Sequence, residues 1–262
     1  MRATLERTKR LRNEREFHDR QAAARARALQ HESLAFGDGD YLDHVCWIRP
    51  AFTLLGDVRG LRVLDLGCGH GMASVVLARR GAHVTACDLS PGYVREAQAR
   101  ARANGVAIRP AQADAERLPF ADHSFDRIWG SAILHHLDLR RAGAELTRVL
   151  RPGGIAVFCE PWGENRWLRW ARKHVAYPGK QRTTDEEPLG RRHVAQLRKH
   201  FPIVNVTGHE LVSMASRVVS KLPLIAALRR CDAAILERMP HWQRYCRYVV
   251  IACYNGPRCA GR

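Results

Sequence analysis

The chain has 262 residues, 46% of them hydrophobic, which suits one large globular domain with insertions or a domain with a small cap. No apolar run reaches the eighteen or so residues that would span a membrane, and the N-terminus lacks an apolar signal region, so a cytoplasmic protein is expected. The formal net charge of +17 suits nucleic acid or an anionic membrane surface, but only five lysines contribute, and arginine dispersed among alanines equally describes a solvated basic surface.

Thr4 to His31 is charged, rich in alanine and free of Gly and Pro, which predicts a helix. Its apolar residues Leu5, Leu11, Phe17 and Leu29 are too sparse for a deeply buried face. Gly37-Asp38-Gly39-Asp40 breaks the pattern, and a second helix is expected from Tyr41 to Leu55. There Tyr41, His44 and Trp47 stand at helical spacing and either line a substrate pocket or pack this region onto the core.

From Arg62 the pattern changes. Val63, Leu64 and Leu66 form a short apolar run, followed by Gly67, Gly69 and Gly71, as in a buried parallel strand that ends in a glycine loop and feeds a helix. That helix, Met72 to Arg80, points its unpaired N–H groups back at the loop and favours a negative ligand group there. The alternating glycines differ from the dinucleotide fingerprint G-x-G-x-x-G, whose last position is here Met72. Ala82 to Asp88 reads as a second strand ending in an acid that can accept hydrogen bonds from ribose hydroxyls. Ser90-Pro91 opens the next helix as cap and first residue. Val106 to Ala111 reads as strand three, Phe125 opens strand four, Leu139 to Leu150 is helical, and Pro152-Gly153-Gly154 turns the chain into strand five, Ile155 to Glu160. Such alternation implies a parallel sheet with right-handed crossovers.

Four stretches, V-L-D-L-G-C-G-H-G, V-T-A-C-D-L-S, A-D-A-E-R-L-P-F-A-D-H-S-F-D and L-R-P-G-G-I-A-V-F, cover about Arg62 to Glu160. In order and spacing they resemble the class I S-adenosylmethionine-dependent methyltransferases. The resemblance implies an α/β fold: a Rossmann-like, doubly wound, seven-stranded sheet whose last strand is antiparallel. It implies S-adenosyl-L-methionine as cofactor, with its methionine part against Asp65, Gly67 and Gly69 and its ribose on Asp88. Leu89 would lie beside the adenine, Asp114 would bond the adenine amino group and Ala115 would offer a backbone N–H. Cys68 and Ser131 are counted in the same binding set. Glu14-x-x-Phe17-His18-Asp19 and the stretch Arg182 to Leu189 also look like a bacterial subgroup of this family, and the resemblance to the wider family implies that such N-terminal helices cover the cofactor.

Beyond Pro161 the alternation stops. Trp162, Trp167, Trp170 and Tyr177 lie among basic residues. A helix is expected from Leu189 to His200 and strand six from Ile203 to His209. Met214 to Met239 is mostly helical in spacing and interrupted by Pro223, and Tyr245 to Tyr254 is the last strand. The expected organisation is a helical cap over 1–55 and a methyltransferase domain over 56–262, with insertions at about 161–188 and 212–244. Thr4 to Leu55 and Trp162 to Pro188 are expected to close over the pocket, and the helices around 214–239 offer an apolar surface to a membrane. The eight cysteines contain no C-x-x-C pair, and Cys68, Cys87 and Cys159, in or at the ends of predicted core strands, read as small buried hydrophobes in a reducing compartment, so neither disulfides nor a metal site are expected.

Catalysis is expected at the end of strand four, where His135 and His136 follow. Methyl transfer from a sulfonium is an in-line displacement that owes much to positioning, and an oxygen or nitrogen acceptor also loses a proton, for which an imidazole is suited. Consecutive residues in a helical turn point about 100° apart, so at most one of the pair faces the pocket. Glu160, at the end of strand five, is a further candidate. The [D/N/S]-P-P-[Y/F/W] motif of exocyclic-amine methyltransferases is absent. These residues favour a small, apolar or aromatic acceptor methylated at oxygen, nitrogen or activated carbon. An RNA methyltransferase, suggested by charge, and a catalytically inactive cofactor-binding partner protein are the alternatives.

Overall fold

The computed structural model describes residues 2–28, 34–174, 187–217 and 222–256. Tyr177, Arg182 to Glu186 and the paired Val218-Val219 lie outside the described residues. A seven-stranded sheet runs in the order β3-β2-β1-β4-β5-β7-β6. The strands are β1 (Arg62–Leu66), β2 (His83–Asp88), β3 (Arg109–Gln112), β4 (Phe125–Ser131), β5 (Leu150–Pro161), β6 (Ile203–His209) and β7 (Tyr248–Asn255). β1 to β5 pair in parallel, whereas β7 runs antiparallel to both β5 and β6. The last strand thus has the expected direction.

Alternate strand residues supply two separate cores, one on each face of the sheet, as the two-residue period of a strand requires. Leu64, Leu66, Ile128, Ala156, Phe158 and Ile251 face helices α6 (Leu139–Val149) and α8 (Arg191–Leu197), through Leu139, Leu146, Val194 and Leu197. Val63, Trp129, Val157, Cys159 and Val250 face α3 (Ile48–Leu54) and α4 (Met72–Arg79), through Ile48, Phe52, Val76 and Leu77. Helix α5 (Pro91–Ala103) is capped as expected: the Ser90 hydroxyl accepts from the Tyr93 N–H and Pro91 takes the first turn.

The expected helix from Tyr41 to Leu55 is instead two short ones, α2 (Asp38–Leu42) and α3. The His44 imidazole bonds the Tyr41 carbonyl at 2.5 Å, taking an acceptor that a continuing helix would use. Strand three begins at Arg109 rather than Val106, because the Val106 N–H returns to the Ala101 carbonyl and completes the end of α5. The Pro152-Gly153-Gly154 turn survives as a bulge inside β5: Phe125 pairs with Leu150, but Arg127 already pairs with Ile155. Helix α8 starts two residues late because Leu189 is occupied by a bridge to Trp162. Pro223 does not interrupt α9 (Leu222–Arg238); it sits in the first turn, where its missing N–H has no helical partner to lose. Residues Pro240–Tyr245 form a 3-10 turn, so the last strand begins at Tyr248.

The N-terminal helix α1 (Arg2–Ala28) lies against α5, held mostly by polar contacts. Asp19 accepts from the Ser90 hydroxyl at 2.5 Å and the Gly92 N–H at 3.3 Å, and Ala22 is buried. Gly71, at the entrance to α4, has φ +78°, and a Cβ there would stand 2.6 Å from the Cα of Ala97 in α5. Gly71→Ala is expected to combine backbone strain with this clash and to cost on the order of 1–3 kcal/mol; equilibrium denaturation of the unliganded protein measures it.

Candidate active site

The carboxyl ends of β1, β2 and β4 open into a cavity of about 400 Å³, where an open α/β sheet binds its ligands. Asp65, Gly67, Cys68, Gly69, Asp88, Leu89, Asp114, Ala115 and Ser131 all line it. The opposite wall is formed by Leu11, Glu14, His18 and Gln21 of α1, with Tyr41, His44 and Ile48. Tyr41 and His44 thus face the cavity, whereas Trp47 is buried and stacks on Tyr248 at 4.1 Å. The described part of the tryptophan-rich segment does not contribute to the lining.

Asp88 organises the loop. Its carboxylate accepts the Gly69 N–H at 3.0 Å and the Ser90 N–H at 2.9 Å, one on each oxygen. Each oxygen keeps further acceptor capacity for a ligand hydroxyl. Burial raises its pKa against the opposing effect of those two N–H groups. Gly69 has φ +49°, and a Cβ on it would meet nothing within 4 Å, so the backbone is bare where it borders the cavity. Asp114 turns its carboxylate onto the Glu116 N–H at 2.9 Å.

Asp65 is buried at the end of β1 and accepts from the Ser74 hydroxyl at 2.5 Å. Burial pushes its pKa up to about 7, with the Ser74 bond opposing. This buried carboxyl faces the cavity and has no cationic neighbour at bonding distance among the described residues.

The three catalytic candidates separate. Glu160 is fully buried, and it accepts the Ile133 and Leu134 N–H groups at 2.9 and 2.8 Å and contacts His135 Nδ1 at 2.7 Å. Together they brace the turn after β4, where Ala132 takes φ +56°, a conformation costly for a residue with a Cβ. Neither Glu160 nor His135 lines the cavity, so the structure turns both away from the position expected of a catalytic group. His136 does line it. Its Nδ1 is 3.4 Å from Glu14 Oε2 of α1, and the same oxygen is 3.4 Å from His18 Nε2. Burial works against ionisation of Glu14, yet the bonds and charges of His136 and His18 bring its pKa down to about 2. His18 is raised: burial opposes its charge, but the Glu14 bond and the Asp88 charge outweigh it. Arg10 fixes the same junction, donating to the His136 carbonyl at 2.6 Å and pairing with Glu116.

Glu14 and His18 are among the lining residues to which the sequence alone gives no role. Their signal was present: four residues apart, they share one helix face. The ligand atoms of Glu14, His18 and His136 lie within 4.8 Å of one another, close enough to hold a cation.

A doubly wound sheet with a glycine loop after β1, an acid ending β2 and a cavity between them defines a nucleoside-cofactor fold. The comparisons with known proteins name the class: residues 64–158 match the family model described as a methyltransferase domain. This part of the chain is a class I S-adenosylmethionine-dependent methyltransferase domain, and S-adenosylmethionine is the cofactor of such domains. A demethylmenaquinone methyltransferase of Beutenbergia cavernae is 42% identical over 125 residues, 44% of this chain and 49% of that protein. The match thus spans about half the length of that relative. Among solved structures, a geranyl diphosphate C-methyltransferase from Streptomyces coelicolor has a TM-score of 0.55 at 18% identity, covering 79% of this chain and 77% of that one. The [4+2]-cyclase SpnF has a TM-score of 0.54 at 22% identity, covering 81% and 83%. These two likenesses concern the fold.

The state of Asp65 generates a prediction. A raised folded pKa means that its contribution to stability is fully present below the unfolded value near 4 and is lost as pH rises through about 7. Asp65→Asn carries no ionisation cost, so its melting temperature relative to wild type, both without cofactor, is expected to be higher at pH 8 than at pH 5. Calorimetry across that range checks the sign.

Proposed function

We propose that the chain transfers the methyl group of S-adenosylmethionine to an oxygen, nitrogen or activated carbon of a small, apolar or aromatic acceptor, with His136 accepting the acceptor's proton where one is lost. The observation that carries this reading is the convergence of Asp65, the bare Gly69 backbone, Asp88 and His136 on one cavity. The residues present fit the cofactor. Asp65 offers a buried carboxyl to its ammonium, the loop and the start of α4 offer N–H groups to its carboxylate, and Asp88 has acceptor capacity for its ribose hydroxyls. Bound there, the cofactor supplies an electrophilic methyl on a sulfonium.

The remaining work belongs to the protein. The ionised Glu14 lies 3.4 Å from Nδ1 of His136 and would offset the positive charge that the ring gains with the acceptor's proton. The carbonyl of the same residue is held by Arg10, which limits how far the ring can drift. Helix α1 forms one wall of the cavity, and closing it over a bound acceptor would exclude water and strengthen these interactions. The demethylmenaquinone relative supports an apolar ring-bearing acceptor, and the apolar lining from Leu11, Ile48, Met72 and Ile133 accords with it.

Three measurements test the reading. Asp88→Ala is expected to weaken S-adenosylhomocysteine binding by about 1.5–3 kcal/mol, the loss of hydrogen bonds to a charged acceptor; calorimetry giving wild-type affinity would contradict the assignment. For turnover, labelled cofactor is offered with a host extract, half of it nuclease-treated, and the label is expected in a nuclease-resistant small molecule. With that acceptor in hand, His136→Ala should lower kcat by ~10²–10⁴-fold at unchanged cofactor affinity if a proton is lost. Near-wild-type kcat in this variant would leave catalysis to positioning alone.

A further inference from the structure

Helix α1 and the turn after β4 bring three donor side chains to one part of the cavity wall. Glu14 and His18 stand four residues apart in α1 and so share one face, and His136 closes the 3-10 turn Leu134–His136. Glu14 Oε2 is 3.4 Å from His18 Nε2 and 3.4 Å from His136 Nδ1, and the three ligand atoms lie within 4.8 Å of one another. Both contacts are longer than the roughly 2.7–2.9 Å of a charge-assisted hydrogen bond between a ring N–H and a carboxylate. Arg10, at the same junction, is engaged with Glu116 and the His136 carbonyl. Among the described residues the ion partners of Glu14 are therefore the two imidazoles.

A spacing of 3.4 Å has a simple chemical counterpart. Zinc holds imidazole nitrogen at about 2.0–2.1 Å and carboxylate oxygen at about 2.0–2.2 Å, so neighbouring ligands at tetrahedral angles stand about 3.4 Å apart. The third edge, between the two rings, is no longer than 4.8 Å, so a small rotation of one ring completes the set. Two imidazoles and one carboxylate suit zinc and its first-row neighbours, whereas magnesium and calcium prefer an all-oxygen shell. Three protein ligands leave one tetrahedral position to water or to a group in the cavity, which all three residues line. The cysteines, in which the sequence offers no metal motif, contribute none of these ligands, and neither do α7 (Arg166–His174) and α9.

We propose that Glu14, His18 and His136 form a binding site for a divalent transition-metal ion of the zinc type. The ion joins α1 to the turn after β4 and so fastens one wall of the cavity to the sheet. At a site divided between two elements, the free energy of binding the ion is also free energy of holding those elements together. Loading releases any proton that the two rings carry on the coordinating nitrogens. The binding requires no catalysis and stands apart from the proposed reaction. One consequence does rest on that reading: a ring coordinated through Nδ1 takes up no further proton, so the ion and the acceptor's proton compete for His136. The metal-loaded form is then the slower one.

The test uses the full chain after removal of metal with a chelator. Titration calorimetry with zinc chloride is expected to show one ion bound per chain, and magnesium chloride at the same concentration no binding. Cobalt(II), a coloured substitute for zinc, should give the intense visible absorption of a tetrahedral ion without a sulfur-to-metal band in the near ultraviolet. Glu14→Gln and His18→Gln should each weaken zinc binding by about 100-fold or more, because losing merely a neighbour that orients a ligand costs about 10–100-fold. Circular dichroism and the metal-free melting temperature show that the variants are folded, and zinc should raise the melting temperature of the wild-type chain but not of either variant. Three results would overturn the proposal: no zinc binding by the wild-type chain, a cobalt spectrum with the sulfur band, or unchanged zinc affinity in the folded variants, which would mean an adventitious ion only.

Discussion

The Asp88 carboxylate is the interaction on which the rest of the site depends. It accepts one N–H from the glycine loop and one from the start of α5, so it ties the end of β1 to the end of β2. Burial makes its charge costly, and two backbone donors offset part of that cost. Without the tie, Gly69 would have no reason to hold φ +49° with its bare face toward the cavity. The close approach of Gly71 to Ala97 serves the same end by letting α4 and α5 pack with their N-termini beside that loop.

Over this frame α1 closes by polar contacts. Asp19 bonds the cap of α5, Glu14 meets His136 and His18, and Arg10 reaches the His136 carbonyl and Glu116. A cover fastened by charges and hydrogen bonds can open at lower cost than one buried by an apolar face. Glu14 thus contributes both to the fastening of α1 and to the surroundings of His136. Behind the cavity, Glu160 and His135 brace the strained turn at Ala132 and keep His136 in place.

Much of this was legible in the sequence because strands buried on both faces leave long apolar runs, and glycine loops and helix caps mark their ends. The strands around Val63, Ile128 and Val204 and the Ser90 cap needed only local physics. The nine expected cofactor residues came from resemblance, and one cavity brings them together. What sequence could not resolve depends on contacts far along the chain. His135 and His136 are adjacent and chemically alike; only the buried Glu160, 25 residues from His135, turns that ring inward. Glu14 likewise acquires a role only when α1 meets a loop more than a hundred residues away. The break after α2 came from a side chain competing for a backbone carbonyl, which no hydrophobic period reports.

The central claim is that the cofactor sits between the glycine loop and α1, so that binding it orders both walls at once. Amide hydrogen exchange with and without S-adenosylhomocysteine tests this most directly. The account predicts slowed exchange in three places together: the loop at 67–71, the start of α5 at 89–93 and the stretch of α1 from Leu11 to Gln21. Protection confined to the loop with α1 unchanged, or protection elsewhere in the chain, would contradict it.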